Sequence, residues 1–95
     1  MKSGSLYIAV YDITNNRERY RLSKVVEAFG IRVQKSAFEM RLSRAQRETL
    51  LRQINALHLA TGWVVLYRID EAARRHTAGI LPQGHIPPEA PCFVD

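Results

Sequence analysis

Ile31-Arg-Val-Gln-Lys-Ser-Ala-Phe-Glu-Met-Arg-Leu42 is the stretch that decides the fold. Its apolar residues occupy odd positions at Ile31 and Val33 and even positions at Phe38, Met40 and Leu42. Side chains on a strand alternate with a period of two, so one regular strand with this pattern would turn half of its apolar set to the wrong face. Two strand pieces, or one bent strand, are therefore expected, with a bulge or break near Gln34-Lys35-Ser36.

Upstream, Leu22, Val25, Val26 and Phe29 fall at i, i+3, i+4 and i+7, the stripe of an amphipathic helix that starts near Arg17. Gly30 follows, where a left-handed residue commonly ends a helix. Thr14-Asn15-Asn16 supplies turn and capping chemistry before that helix. Leu6 to Ile13 is an almost continuous apolar run that reads as a strand buried on both faces. Downstream, Ser43-Arg-Ala-Gln46 matches a capping box. Leu50, Leu51, Ile54 and Leu57 give the second helix its stripe, Thr61-Gly62 is expected to end it, and Trp63 to Ile69 reads as a last apolar strand. His58 is placed within that helix, and Tyr7, Tyr11, Phe38, Trp63 and Tyr67 read mostly as core. The order strand, helix, split strand, helix, strand predicts an α/β (α+β) sandwich of the ferredoxin-like type, with helices on one face of a sheet.

Ninety-five residues hold one domain, and 46% apolar with 24% charged residues is an ordinary globular composition. Residues 1–70 are expected to form that domain. Residues 71–95 carry Pro82, Pro87, Pro88 and Pro91 and are expected to be an arm that docks on the sheet or on a partner. Within it, Pro91 to Val94 reads as a short strand that pairs with an edge of its own sheet or of a partner's. The longest uncharged apolar run, Leu6 to Tyr11, is far short of a membrane span of roughly 20 residues. No membrane role is expected, and no secretory h-region opens the chain. A single cysteine, Cys92, cannot form an internal disulfide, so a cytoplasmic setting is expected. His58, His76 and His85 lack metal-ligand spacing.

The charge is uneven. Residues 17–52 hold ten basic residues against four acids, an excess of six in a chain whose net charge is +5. Eleven of the 14 basic residues are arginine, whose planar donor fork suits phosphate oxygens. A polyanion such as nucleic acid is the partner that this pattern suggests; a solvated basic helix face would look the same. Arg17, Arg19 and Arg21 open the first helix, where cations are mildly unfavourable unless an anion is expected there. Asp12 interrupts an apolar strand at its carboxyl end, where ligand sites of open α/β sheets gather. A carboxylate there must be paired, wet or bound to a cation; it could also cap the helix that follows.

These residues resemble a known family. Tyr11-Asp12-Ile13, Arg19-x-Arg21, Gly30-x-Arg32-Val-Gln34-Lys-Ser36-Ala-Phe38 and the strand at Val64 to Ile69 are similar to the small CRISPR-associated adaptation subunit, the Cas-two family, from about Leu6 to Ile69. The resemblance implies a ferredoxin-like homodimer. It also implies a metal-dependent endonuclease acting on RNA or double-stranded DNA with magnesium or manganese, and a role in spacer acquisition beside the Cas-one integrase. It makes Asp12 the catalytic and metal residue, and Arg19, Arg21 and Arg32, with Arg17 beside them, the nucleic-acid-binding set. Tyr11, Gln34, Ser36 and Phe38 become supporting residues. Asn15 and Asn16 stand where many members carry further acids, so one chain offers a poor cation site. A twofold dimer would supply Asp12 twice. The competing readings are a non-catalytic DNA-binding scaffold and a stand-alone toxin-type endoribonuclease. An RNA-recognition module shares the element order but needs an aromatic strand motif, and Phe38 is the one aromatic in that region.

Overall fold

The computed structural model describes residues 4–70, 72–74, 76–80 and 93–94. The phase slip resolves into a hairpin. β2 (Ile31–Gln34) and β3 (Ala37–Leu42) pair antiparallel, and the register shifts between Arg32 and Gln34, where the alternation breaks. Around the hairpin lie β1 (Ser5–Ile13), α1 (Asn16–Glu27), α2 (Arg44–Ala56) and β4 (Gly62–Ile69). The sheet order is β2-β3-β1-β4, antiparallel throughout, with both helices on one face: a ferredoxin-like sandwich.

Its core joins Tyr7, Ala9, Tyr11 and Ile13 of β1 and Phe38, Met40 and Leu42 of β3 to Leu22 and Val26 of α1 and Leu50 and Ile54 of α2. The two central strands, β1 and β3, thus bury one parity of their residues, as a half-covered sheet requires. Asn15 caps α1, its side chain accepting from the Glu18 N–H at 2.9 Å. The Ser43/Gln46 capping box is fully formed on α2, with bonds of 3.1 and 2.8 Å.

Several expectations need correction. Gly30 does not take a left-handed conformation; α1 ends through Ala28 in the right-handed region. Glycine is needed at 30 because a Cβ there would lie 2.2 Å from the Glu39 carbonyl oxygen of the facing strand. The second helix stops at Ala56, and His58 lies beyond it as the left-handed residue, at φ 53°. Thr61-Gly62 leads into β4 and does not end the helix. Leu51 faces solvent, and the stripe runs through Leu50, Ile54 and Leu57.

The largest correction concerns the second sheet face. β1 is not buried on both sides of this chain: Leu6, Ile8 and Val10 are half-buried and Asp12 is exposed. Trp63 and Tyr67 are not core either, at 50% and 56% exposure. In the antiparallel register Asp12 faces Trp63, Val10 faces Val65 and Ile8 faces Tyr67, so these residues share the face that no helix covers. Of the C-terminal region, His76–Thr77 (β5) and Phe93–Val94 (β6) pair as a parallel two-stranded ribbon. The expected strand near the C-terminus thus pairs with β5 and not with an edge of the main sheet. The expectations for Leu81 to Cys92, including the prolines and His85, lie outside the described residues.

Candidate functional site

Asp12 stands next to last in β1, on the open face. Its carboxylate makes no hydrogen bond or ion pair among the described residues. The capping role open to it is taken by Asn15. The backbone around it is held firmly. The Thr14 N–H donates to the Thr61 carbonyl at 3.2 Å, and the Asn15 N–H to Thr61 Oγ1 at 3.1 Å. Gly62 lets β4 start against Asp12, since a Cβ at 62 would lie 2.0 Å from the Asp12 carbonyl oxygen.

Glu18 completes this brace. Its carboxylate accepts from the Thr61 hydroxyl at 2.7 Å, the Thr61 N–H at 3.1 Å and the Ala60 N–H at 3.1 Å. Those bonds, the Thr61 hydroxyl first, and the Arg21 guanidinium hold Glu18 below the usual carboxylate range, against the cost of desolvation. The first turn of α1, the loop before β4 and the end of β1 are thus tied together by hydrogen bonds. No pattern in the sequence marks Glu18 for this role, because its partners lie 42 and 43 residues away.

The arginines divide by function. Arg19 is a brace: its Nη1 donates to the Ile13 carbonyl at 2.7 Å and to the Thr14 carbonyl at 3.4 Å, and its Nη2 meets Asn16 Oδ1. Arg17 and Arg21 are exposed at the start of the same helix. Arg32 donates to the Lys35 carbonyl at 2.5 Å, pairs with Glu27 at 3.3 Å and lies 4.8 Å over the Phe38 ring. Phe38 itself is wholly buried. Tyr11 is buried too, its hydroxyl donating to the Lys35 carbonyl at 3.3 Å and its ring stacked 6.3 Å from Phe38. Gln34 Oε1 accepts from the Ser36 N–H at 3.3 Å, and the Ser36 carbonyl accepts from the Tyr11 N–H at 3.1 Å. Arg32, Tyr11, Gln34, Ser36 and Phe38 thus form one cluster around the β2–β3 turn, near the Asp12 end of β1. Tyr11 and Phe38 reach this cluster from the helix-covered face, so they shape it from below.

One carboxylate is a poor partner for a hard divalent cation, which wants about six oxygens. Among the described residues no group of three His, Cys, Asp or Glu side chains comes together, so Asp12 is the one carboxylate that these residues bring to the open face at this end of β1. What the sequence reading missed is the open apolar face itself, with Trp63, Val65 and Tyr67. The signal was present: Trp63 to Ile69 is apolar at both parities, which is how a strand covered on both sides is written.

Comparison with known proteins agrees with the fold. The family model described as CRISPR associated protein Cas2 matches residues 5–77. The CRISPR-associated endoribonuclease Cas2 of Mycobacterium tuberculosis H37Rv is 37% identical over 71 residues, which make up 74% of this chain and 63% of that protein. The chain thus spans less than two thirds of that relative's length. A crystal structure of a hypothetical protein, TT1823, from Thermus thermophilus superposes with a TM-score of 0.75 at 29% identity, covering 84% of this chain and 96% of its own. A crystal structure of cas2 gives a TM-score of 0.71 at 24% identity, covering 90% and 97%.

Proposed function

The chain belongs to the CRISPR-associated protein Cas2 family, and from that premise we propose that it works as a homodimer that binds nucleic acid and hydrolyses phosphodiesters at a paired Asp12 site. One observation carries the proposal: an unpartnered, exposed Asp12 carboxylate at the rim of an apolar sheet face that nothing among the described residues covers. An exposed patch of Trp63, Val65 and Tyr67, continued by half-buried Val10, is the kind of surface that marks a protein interface. A second copy is the natural occupant: a twofold axis passing close to Asp12 would bring each carboxylate near its mate and cover the same apolar residues on both chains.

Two carboxylates at an axis repel unless a cation or a proton lies between them. The symmetric pair, with water, would meet the oxygen preference of magnesium or manganese that one chain does not. A cation bound there would supply a Lewis acid for a phosphoryl oxygen. The chain's own residues do the rest. Arg17 and Arg21 offer exposed guanidiniums to the phosphate backbone. Arg19 fixes the carbonyls of Ile13 and Thr14 behind the carboxylate. Arg32, stacked on Phe38, presents a planar donor at the neighbouring turn. Endoribonuclease activity is the function named for the M. tuberculosis relative, and RNA is the first substrate to test. Adaptation within a CRISPR system, beside a Cas-one integrase in the cytoplasm, is the setting that membership suggests.

The test is a divalent-cation titration of cleavage on single- and double-stranded RNA and DNA, with Asp12→Asn beside the native chain. Cleavage that requires the cation and vanishes in the variant supports the reading; full activity in the variant removes Asp12 from the mechanism. The second reading, a non-catalytic scaffold, draws on the lone carboxylate and on Asn15 and Asn16 beside it. In that case the native chain binds duplex DNA but cleaves nothing.

A further inference from the structure

Three aromatic side chains among the described residues are at least half exposed: Tyr20, Trp63 and Tyr67. Trp63 and Tyr67 belong to the open sheet face. Tyr20 does not. It lies on α1, in the helix layer on the other side of the sheet, with 62% of its surface in solvent. The function proposed above makes no use of it.

The residues around it on the helix give this ring a setting. Arg17, Tyr20, Arg21 and Lys24 are spaced i, i+3, i+4 and i+7, which makes them one stripe of α1, and all four are exposed. The stripe runs opposite Leu22 and Val26, which α1 buries, so it is the outermost line of the helix. At about 1.5 Å per residue it is roughly 10 Å long. The acids of α1 do little to neutralise it. Glu18 is engaged by the Thr61 hydroxyl and by the Thr61 and Ala60 N–H groups. Glu27 pairs with Arg32 at 3.3 Å and reaches Lys24 only at 3.7 Å. Three cations and one shared acid leave the stripe positive.

An exposed aromatic ring set among cations suits one kind of ligand. Proteins that hold single-stranded nucleic acid combine a positive track for the phosphates with aromatic faces on which bases stack. A paired base inside a duplex has both faces covered by its neighbours, so an unpaired base is what offers a face to Tyr20. The ring carries Lys24 Nζ at 5.3 Å from its centroid. An exposed cation–π contact of this kind is weaker than a stacked base, so a base displaces the ammonium and releases it to a phosphate.

We propose that the Arg17–Tyr20–Arg21–Lys24 stripe of α1 is a single-strand subsite, in which an unpaired base stacks on Tyr20 and the flanking cations hold the phosphates beside it. Tyr20 thereby favours unpaired over paired strands, a choice that phosphate contacts from Arg17 and Arg21 do not make. The proposal rests on the reading above only in taking nucleic acid as the ligand; it needs neither Asp12 nor a second copy.

The test measures binding by fluorescence anisotropy in the absence of divalent cations, so that cleavage does not intervene. The probes are a labelled single strand of about 12 nucleotides and the blunt duplex of the same sequence. Tyr20→Leu removes the stacking face and keeps a good helix former at an exposed position. It is expected to weaken single-strand binding at least about fivefold and duplex binding less than about twofold, with an unchanged circular dichroism spectrum. Tyr20→Phe keeps the face and is expected to bind both probes as the native chain does. Proton NMR of the native chain reads the contact itself, and the single strand is expected to move the Tyr20 ring signals upfield. Native affinity for the single strand in Tyr20→Leu, an equal loss on both probes, or ring signals that ignore the single strand overturns the proposal. A native chain that binds neither probe overturns the function proposed above along with it, whereas one that binds both and is indifferent to Tyr20 overturns the subsite alone.

Discussion

The two faces of β1 are built from the same run of sequence and have opposite fates. Tyr7, Ala9, Tyr11 and Ile13 are sealed beneath α1 and α2. Leu6, Ile8 and Val10 are nearly as apolar, yet they stay half-buried, and Asp12 closes their row in solvent. The difference teaches that hydrophobic content fixes which faces want cover, while the number of helices in the chain decides which of them receive it. Two helices cover one side of a four-stranded sheet. The other side is left open among the described residues, and its rim carries the one carboxylate in β1.

That contrast can be tested by changes of decreasing size. On the covered face, Phe38→Ala removes a wholly buried ring and is expected to cost about 3–5 kcal/mol, read by chemical denaturation. A cost below about 1 kcal/mol would mean that the covered face is not the core. On the open face, Val65→Asp is expected to do the reverse. The chain keeps its circular dichroism, while self-association measured by sedimentation weakens at least about tenfold, or about 1.4 kcal/mol. Equal association in the variant would show that this face is not where copies meet. Ser43→Ala removes one half of the capping box and is expected to cost about 1 kcal/mol in thermal or chemical unfolding.

The smallest effect belongs to Glu18. Its carboxyl is held below its ordinary value in the folded chain, so the stability it contributes is present above the ordinary carboxylate range and is lost as pH falls through the lowered folded value. Glu18→Gln is expected to lower the melting temperature near neutrality, and its deficit is expected to shrink toward zero in acid. A deficit that grows as pH falls would contradict the hydrogen bonds assigned to this side chain.

Much of this architecture is legible in the sequence. The slip between Val33 and Phe38 marks the hairpin, because a period of two cannot change phase within one strand. Ser43 and Gln46 mark the start of α2, because a capping box is a local device. Whatever depends on distant partners escapes such a reading. Trp63 and Tyr67 look like core because alternation says on which side a residue lies and not whether anything covers that side. Gly30 looks like a helix cap, while its actual constraint is the Glu39 backbone across the hairpin. Asp12 and the arginines near it stand out in the sequence, but the division of labour among them does not. Arg19 is turned inward onto main-chain carbonyls, and Arg17 and Arg21 are left in solvent. The Tyr7–Arg47 pair spans 40 residues and has no local signature at all.

The central claim is that two Asp12 carboxylates act together across the open faces of two chains. Manganese titration followed by electron paramagnetic resonance measures this directly, without any substrate. The account predicts one tight manganese ion for every two chains, lost in Asp12→Asn while the dimer persists in sedimentation. One ion per chain, or a tight ion that survives Asp12→Asn, would contradict it.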